Sequence, residues 1–232
     1  MIAIKLSEFL RKLYFYNMFY WIKTPQIVKW LFYNQIWSLQ NKERKVYLTF
    51  DDGPTPDVTE WVLDVLKKEN IKATFFCIGK NIETHPGIFQ KIINEGHSIG
   101  NHTHNHLNGW KTTGKEYMEN ILQCENRIQQ FSNGISKTRL FRPPYGKITS
   151  TQTSKLRRAG YQIIMWDILS ADFDTTVSPE KCLENAIRKA EPGSIIVFHD
   201  SLKAKNNLEY ALPKAIRFLK EKGLVFDPIQ PD

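Results

Sequence analysis

The chain has 232 residues, 41% of them hydrophobic, which suits one α/β domain with a sizeable core better than two domains. Lysine and arginine outnumber acidic residues by 32 to 24, giving a formal charge of +8; with no run of about five or more like charges and no nucleic-acid-binding motif, this reads as a solvated basic surface, and nucleic acid is not an expected partner. Cys77, Cys124 and Cys182 are too few and too scattered for a disulfide framework, and no C-x-x-C pair suggests a thiolate metal site, so reduced structural thiols are expected.

Lys5, Glu8, Arg11 and Lys12 interrupt the first apolar run and no small-residue cleavage site follows, so no secretory signal is expected. Leu13 to Ile22 falls short of the roughly 20 apolar residues that a membrane span needs. The expected location is therefore cytoplasmic or peripheral to the envelope, and Met18 offers an alternative start. Residues 1–40 set Tyr14, Phe15, Tyr16, Phe19, Tyr20, Trp21, Trp30, Phe32, Tyr33 and Trp37 among lysines. Two readings stand for this segment: contact with a bilayer surface, or packing across one end of the domain that follows.

Lys45 to Phe50 alternates like a strand and stops at Asp51-Asp52-Gly53-Pro54, where glycine and proline force a turn. Thr55 and Pro56 resemble an N-cap and first helical residue. Val58, Trp61, Val62, Val65 and Leu66 then follow the spacing of an amphipathic helix that ends at Asn70. Further strands are predicted at Ala73 to Ile78, Ser98 to Gly100, Arg139 to Phe141, Tyr161 to Trp166, Ser194 to Phe198 and Leu224 to Phe226. Helices are predicted at His85 to Glu95, Lys115 to Phe131, 151–159, 179–190 and 208–222. Strands alternating with helices imply right-handed crossovers and a parallel sheet covered by helices, for which a barrel is the first expectation.

In such barrels reactive groups gather where strands end. The unusual polar groups here are Asp51 with Asp52, His102 with His104 and His106, Arg142, Asp172, and His199 with Asp200, and nearly all follow a predicted strand. One shared pocket is the economical inference. Adjacent strand residues point to opposite faces, so Asp51 and Asp52 need different roles unless the turn rotates one of them. His102 and His106, at i and i+4, would share one face of a helical turn, and two histidines with one carboxylate suit zinc with an open position for water. His104 reads as a neighbour of that set. Pro143 and Pro144 stiffen the loop after Arg142, which makes the Tyr145 backbone N–H a candidate oxyanion donor. His199 ends a buried strand as a candidate acid, its tautomer set by Asp172 or by Asp200.

Together, Thr49-Phe50-Asp51-Asp52-Gly53, His102-Thr103-x-x-His106, Arg142-Pro143-Pro144-Tyr145, Asp172-Phe173 and Val197-x-His199 resemble the five ordered motifs of the polysaccharide deacetylase family, also called carbohydrate esterase family 4 or the NodB homology domain. The resemblance covers residues 45–226 and leaves residues 1–40 as a separate N-terminal segment. It implies a distorted, incomplete (β/α) barrel of parallel strands with outer helices. It also implies a divalent cation held by Asp52, His102 and His106, usually zinc, with cobalt or another divalent ion as substitutes. By the same resemblance Asp51 is the general base, Arg142 its charge partner, Tyr145 the backbone oxyanion donor, His199 the general acid and Asp172 the group that tunes it.

The implied activity is removal of acetyl groups from N-acetylated sugar units of a chitin-like or peptidoglycan-like glycan, with release of acetate. Pro143, Pro144, Trp166, Phe173 and Val197 are expected on the substrate side. Phe173 stands where the family commonly has tryptophan, and Val197 where a leucine commonly helps line the pocket for the acetyl methyl. Both changes remain apolar. The rival class is a carbohydrate-binding scaffold without turnover, against which the intact Asp51, Asp52, His102, His106 and His199 weigh.

Overall fold

The structure is a computed structural model and describes residues 20–39, 43–132 and 139–230. The aromatic residues Tyr14, Phe15, Tyr16 and Phe19, and the alternative start Met18, lie outside the described residues. The first strand, β1 (Lys45–Asp51), sets the pattern for the rest. It is buried on both faces, yet its side chains still alternate. Val46, Leu48 and Phe50 join the apolar layer beneath the helices, whereas Tyr47 packs in the interior of the curled sheet. Thr49 and Asp51 share that inner face.

The remaining strands are β2 (Thr74–Cys77), β3 (Ser98–Asn101), β4 (Leu140–Phe141), β5 (Gln162–Ile163), β6 (Ile168–Leu169), β7 (Ile195–His199) and β8 (Val225–Phe226). Seven of them form a curled half-barrel in the order β5-β4-β3-β2-β1-β7-β6, with β8 paired to the start of β1. Every pairing is parallel. This is the incomplete barrel expected above. Its helices are α1 (Gln26–Leu31), α2 (Val58–Lys68), α3 (Gly79–Thr84), α4 (Pro86–Asn94), α5 (Gly114–Phe131), α6 (Ser150–Arg158), α7 (Pro179–Ile187) and α8 (Lys205–Glu221). Val62 and Leu66 of α2 and Leu208, Leu212 and Leu219 of α8 pack on the outward side chains of β1, β2 and β7. Burying such side chains stabilises each by about 1.5–3 kcal/mol, which is what holds the helices to the sheet.

Several boundaries differ from the sequence expectation. Thr55 is not an N-cap: α2 begins at Val58 behind Asp57, whose φ is 64° and whose side chain makes no cap bond, so the chain turns once more before the helix starts. Gly79 does stop β2, and there it opens the unforeseen helix α3. The stretch from Tyr161 to Trp166 yields only a two-residue strand, because the chain leaves the sheet to pass from the edge strand β5 to the opposite edge, β6.

Residues 20–39 run along that opening. Lys23 bridges β6 at Ile168 in antiparallel fashion, Ile36 bridges Ile164 just after β5, and Ser38 bridges Ser194 before β7. The carboxylate of Asp167, buried between these segments, accepts from Lys23 Nζ at 2.7 Å, Lys29 Nζ at 2.5 Å and Ser194 Oγ at 2.6 Å. Among the described residues no helix is long and apolar enough to cross a membrane, and the three cysteines are free and buried.

Candidate active site

Parallel register brings the strand ends level, and with them the reactive side chains. Asp51 pairs with His199 across β1 and β7, and Cys77 with Asn101 across β2 and β3. The alternation that turns Ile196 and Phe198 to the helices turns Val197 and His199 inward. The result is a cavity of about 600 Å³ at the C-terminal ends of the strands, lined by Asp51, Asp52, His102, His106, Tyr145 and His199 among others.

Asp51 and Asp52 reach the same cavity because the turn rotates the second of them: Asp52 has φ 84°, in the left-handed region that side chains disfavour. Asn81 Nδ2 donates to the Asp52 carbonyl at 2.8 Å, and the Ile78 N–H donates to the Gly53 carbonyl at 3.0 Å, which holds the turn in place.

His102 and His106 converge by a different route from the one expected. They are not on a helix. His102 follows β3 directly, and the chain then curls through Thr103 (φ 63°) to His106 (φ 54°), pinned by the Asn101 side chain on Thr103 N–H and the Asn120 side chain on the N–H groups of His104 and Asn105. His106 Nε2 comes within 3.2 Å of Asp52 Oδ1 and His102 Nε2 within 3.8 Å. His104 turns away toward Glu83.

The three ligand atoms of Asp52, His102 and His106 lie within 4.8 Å of one another. Asp52 Oδ1 is buried without an aligned donor, which is the condition of an acceptor built for a cation. Arg142 O accepts a hydrogen bond from His102 Nδ1–H at 2.7 Å, which keeps the proton on Nδ1 and leaves Nε2 with a free lone pair. Burial pushes the His102 pKa down to about 4, which keeps it neutral, as a ligand must be. Burial opposes ionisation of Asp52, but the approach of His106 and the charge of His199 outweigh it and hold the carboxyl well below its usual range. The residues present therefore fit a divalent cation.

Arg142 is fully buried inside the half-barrel, its guanidinium 4.1 Å over the Phe76 ring. It donates to Asp51 Oδ1 at 2.6 Å, Thr49 Oγ1 at 2.8 Å, Met165 O at 2.9 Å and Ile164 O at 3.2 Å. This is a fixed cradle for one carboxylate rather than a surface ion pair. Tyr145 follows in a left-handed conformation (φ 60°), with its hydroxyl 3.0 Å from His106 Nδ1.

Between the two partners considered for His199, the geometry selects Asp172. Its Oδ1 accepts from His199 Nδ1 at 2.7 Å and its Oδ2 from the His199 backbone N–H, also at 2.7 Å. A left-handed residue, Ala171 (φ 62°), folds Asp172 back under the strand end. Burial works against protonation of His199, and the charge and hydrogen bond of Asp172, helped by Asp52 and Asp51, overcome it and raise its pKa to about 9. Asp200 points to the opposite side of the strand, where it takes bonds from Gly53 and Thr59.

Trp166, Phe173 and Val197 line the cavity, whereas Pro143 and Pro144 are buried within their loop and are not among its lining residues. Tyr20, Leu169 and Lys203 were not foreseen as cavity residues. Tyr20 is held by its hydroxyl on Asp174 Oδ2 at 2.7 Å and by edge-on contact with Phe173, which in turn meets the His199 ring. No periodicity or motif distinguished it from the other aromatics of the first 40 residues.

A sequence model of the polysaccharide deacetylase family matches residues 38–164. The chain belongs to the polysaccharide deacetylase family. That family is metal-dependent, and Asp52, His102 and His106 form a cluster that could hold its cation. A peptidoglycan-N-acetylglucosamine deacetylase of Bacillus cereus is 38% identical over 184 residues, 78% of this chain and 66% of that protein. The chain thus spans about two thirds of that relative's length. The peptidoglycan-N-acetylmuramic acid deacetylase PdaA of Bacillus subtilis is 30% identical over 199 residues, 85% of this chain and 74% of the relative. Among solved structures, a peptidoglycan N-acetylglucosamine deacetylase in complex with 4-naphthalen-1-yl-N-hydroxybenzamide superimposes with a TM-score of 0.81 at 34% identity, covering 89% of this chain and 95% of that one.

Proposed function

We propose that the chain is a zinc-dependent deacetylase that hydrolyses the acetamido group of N-acetylated hexosamine units in a peptidoglycan-like glycan and releases acetate. The observation that carries this reading is the arrangement at the mouth of the half-barrel. An Asp-His-His cluster, a carboxylate held by a buried arginine, and an imidazole held by a buried aspartate all face one cavity. Two histidines and one carboxylate, with room for a further ligand, are a donor set suited to zinc at a catalytic site. When bound, the cation would polarise the acetyl carbonyl and the attacking water.

The chain's own residues account for the proton movements. Asp51, kept in place by Arg142, takes a proton from the attacking water. The Tyr145 backbone N–H, the first after two prolines, donates to the developing oxyanion. His199, protonated at neutral pH with Nδ1 committed to Asp172, passes its Nε2 proton to the departing sugar nitrogen. Trp166, Phe173 and Val197 give this chemistry an apolar wall. The hexosamine reading follows the named activities of the relatives, and N-hydroxy amides, such as the one bound by the structural relative, are expected to compete for the same site.

Residues 45–226 form the catalytic domain in this reading, and residues 20–39 strap across the opening between β6 and β5. The test is acetate release from N-acetylated chitooligosaccharides, peptidoglycan fragments and acetylxylan, with and without a chelator. The expected result is turnover on the N-acetylated glycans that a chelator abolishes and added zinc restores. Turnover that survives complete removal of metal would refute the reading.

A further inference from the structure

Asp200 is a fully buried carboxyl to which the chemistry above gives no part. It stands one residue beyond His199, on the outward side of β7, and grips the β1 turn on both sides of Asp52. Its backbone N–H donates to Asp51 O at 3.0 Å. Its Oδ1 accepts from the Gly53 N–H at 3.0 Å, and its Oδ2 accepts from the Thr59 hydroxyl at 2.5 Å. Thr59 Oγ1 in turn accepts from the Thr55 N–H at 2.7 Å, which joins the far side of the turn to the first helix turn of α2. The approach is so close that a Cβ on Gly53 would stand 1.9 Å from Asp200 Oδ2.

Asp52 needs such a frame. A non-glycine residue at φ 84° sits in a backbone region that side chains disfavour, and it persists only where its surroundings over-determine it. The Asn81 and Ile78 bonds secure the turn from the α3 side, and Asp200 secures it from the β7 side.

We infer that Asp200 is a positioning residue that fixes the Asp52 turn relative to the strand carrying His199, so that the cation and the proton donor face one substrate atom. This rests on the proposed role of Asp52, His102 and His106 as metal ligands. Asp200 touches neither the substrate cavity nor the cation, so its loss acts on metal affinity and turnover while leaving substrate affinity alone.

The test uses Asp200→Ala, Asp200→Asn and Thr59→Val in the full chain, each measured for zinc affinity by chelator competition and for kcat and KM at saturating zinc. For Asp200→Ala the expected result is zinc binding weakened by about 10- to 100-fold and a lower kcat at unchanged KM. Asparagine keeps the acceptor for Gly53 N–H and can donate to the Thr59 oxygen, so Asp200→Asn should stay within about threefold of the parent. Thr59→Val, which cuts one of the two side-chain bonds, should fall between them. A folded Asp200→Ala protein with parental zinc affinity and kcat overturns the inference, as does an Asp200→Asn protein impaired as much as the alanine variant. Should Asp200→Ala not fold, Thr59→Val decides: parental zinc affinity and turnover there overturn it. Absence of zinc binding by the parent protein would instead refute the metal assignment itself.

Discussion

Replacing Arg142 with methionine keeps an unbranched side chain of similar length and removes the charge. The guanidinium is fully buried, 2.6 Å from Asp51 Oδ1, and also serves Thr49 and the carbonyls of Ile164 and Met165. Removing one partner of a buried ion pair costs about 3–5 kcal/mol, because the other charge is left uncompensated. Three further acceptors lose their donor, at about 1 kcal/mol each. Together these come to about 6–8 kcal/mol, a large part of the roughly 5–15 kcal/mol that holds a domain together. Urea denaturation followed by circular dichroism and tryptophan fluorescence measures it. The double variant Arg142→Met/Asp51→Asn should regain about 2 kcal/mol or more, because the orphaned carboxylate is gone, while the other acceptors stay unpaired. It should not regain turnover, since the base is lost with the charge. A single variant within about 1 kcal/mol of the parent, or a double variant no more stable than the single, would refute the cradle argument.

Asp172→Asn should change the pH dependence. The charge and hydrogen bond of Asp172 raise the His199 pKa to about 9, above the unfolded value near 6.5. The stability this interaction adds is therefore fully present below about pH 6.5 and is lost as pH rises through about 9. Without the carboxylate, burial dominates and the His199 pKa drops. The alkaline limb of kcat/KM should then move at least about one unit lower; an unmoved limb would remove His199 from the acid role. For Tyr145→Phe, which deletes the hydroxyl beside His106 Nδ1, zinc affinity should fall by up to about 10-fold, with kcat at saturating zinc nearly unchanged because the backbone N–H remains. A collapse of kcat at saturating zinc would mean that the phenol takes part in the chemistry.

Much of this architecture was legible in the chain because local patterns decide it. The alternation of Val46, Leu48 and Phe50 with Tyr47, Thr49 and Asp51 marks a strand with two distinct faces, and the turn at Gly53-Pro54 marks where it ends. Parallel strands joined by helices then bring all such ends to one side, which is why the sequence groups Asp51, His102, Arg142 and His199 at one end of the fold. Local pattern carried no information about backbone rotation at single residues. The left-handed Asp52 that turns two adjacent carboxylates into one cavity, and the non-helical curl that joins His102 to His106, depend on bonds from Asn81, Asn101 and Asn120, which come from other elements or from neighbouring turns.

The choice between Asp172 and Asp200 as partner of His199 was likewise open in the sequence. Only the fold-back at Ala171 brings Asp172 within 2.7 Å of His199. Tyr20 entered the cavity wall without any sequence signal, because its place is set by Asp174 and Phe173, about 150 residues away. Sequence alone thus determined which residues stand at the strand ends, since that follows from side-chain periodicity and turn chemistry. Which of them touch was decided by the tertiary structure, through long-range hydrogen bonds that no local pattern encodes.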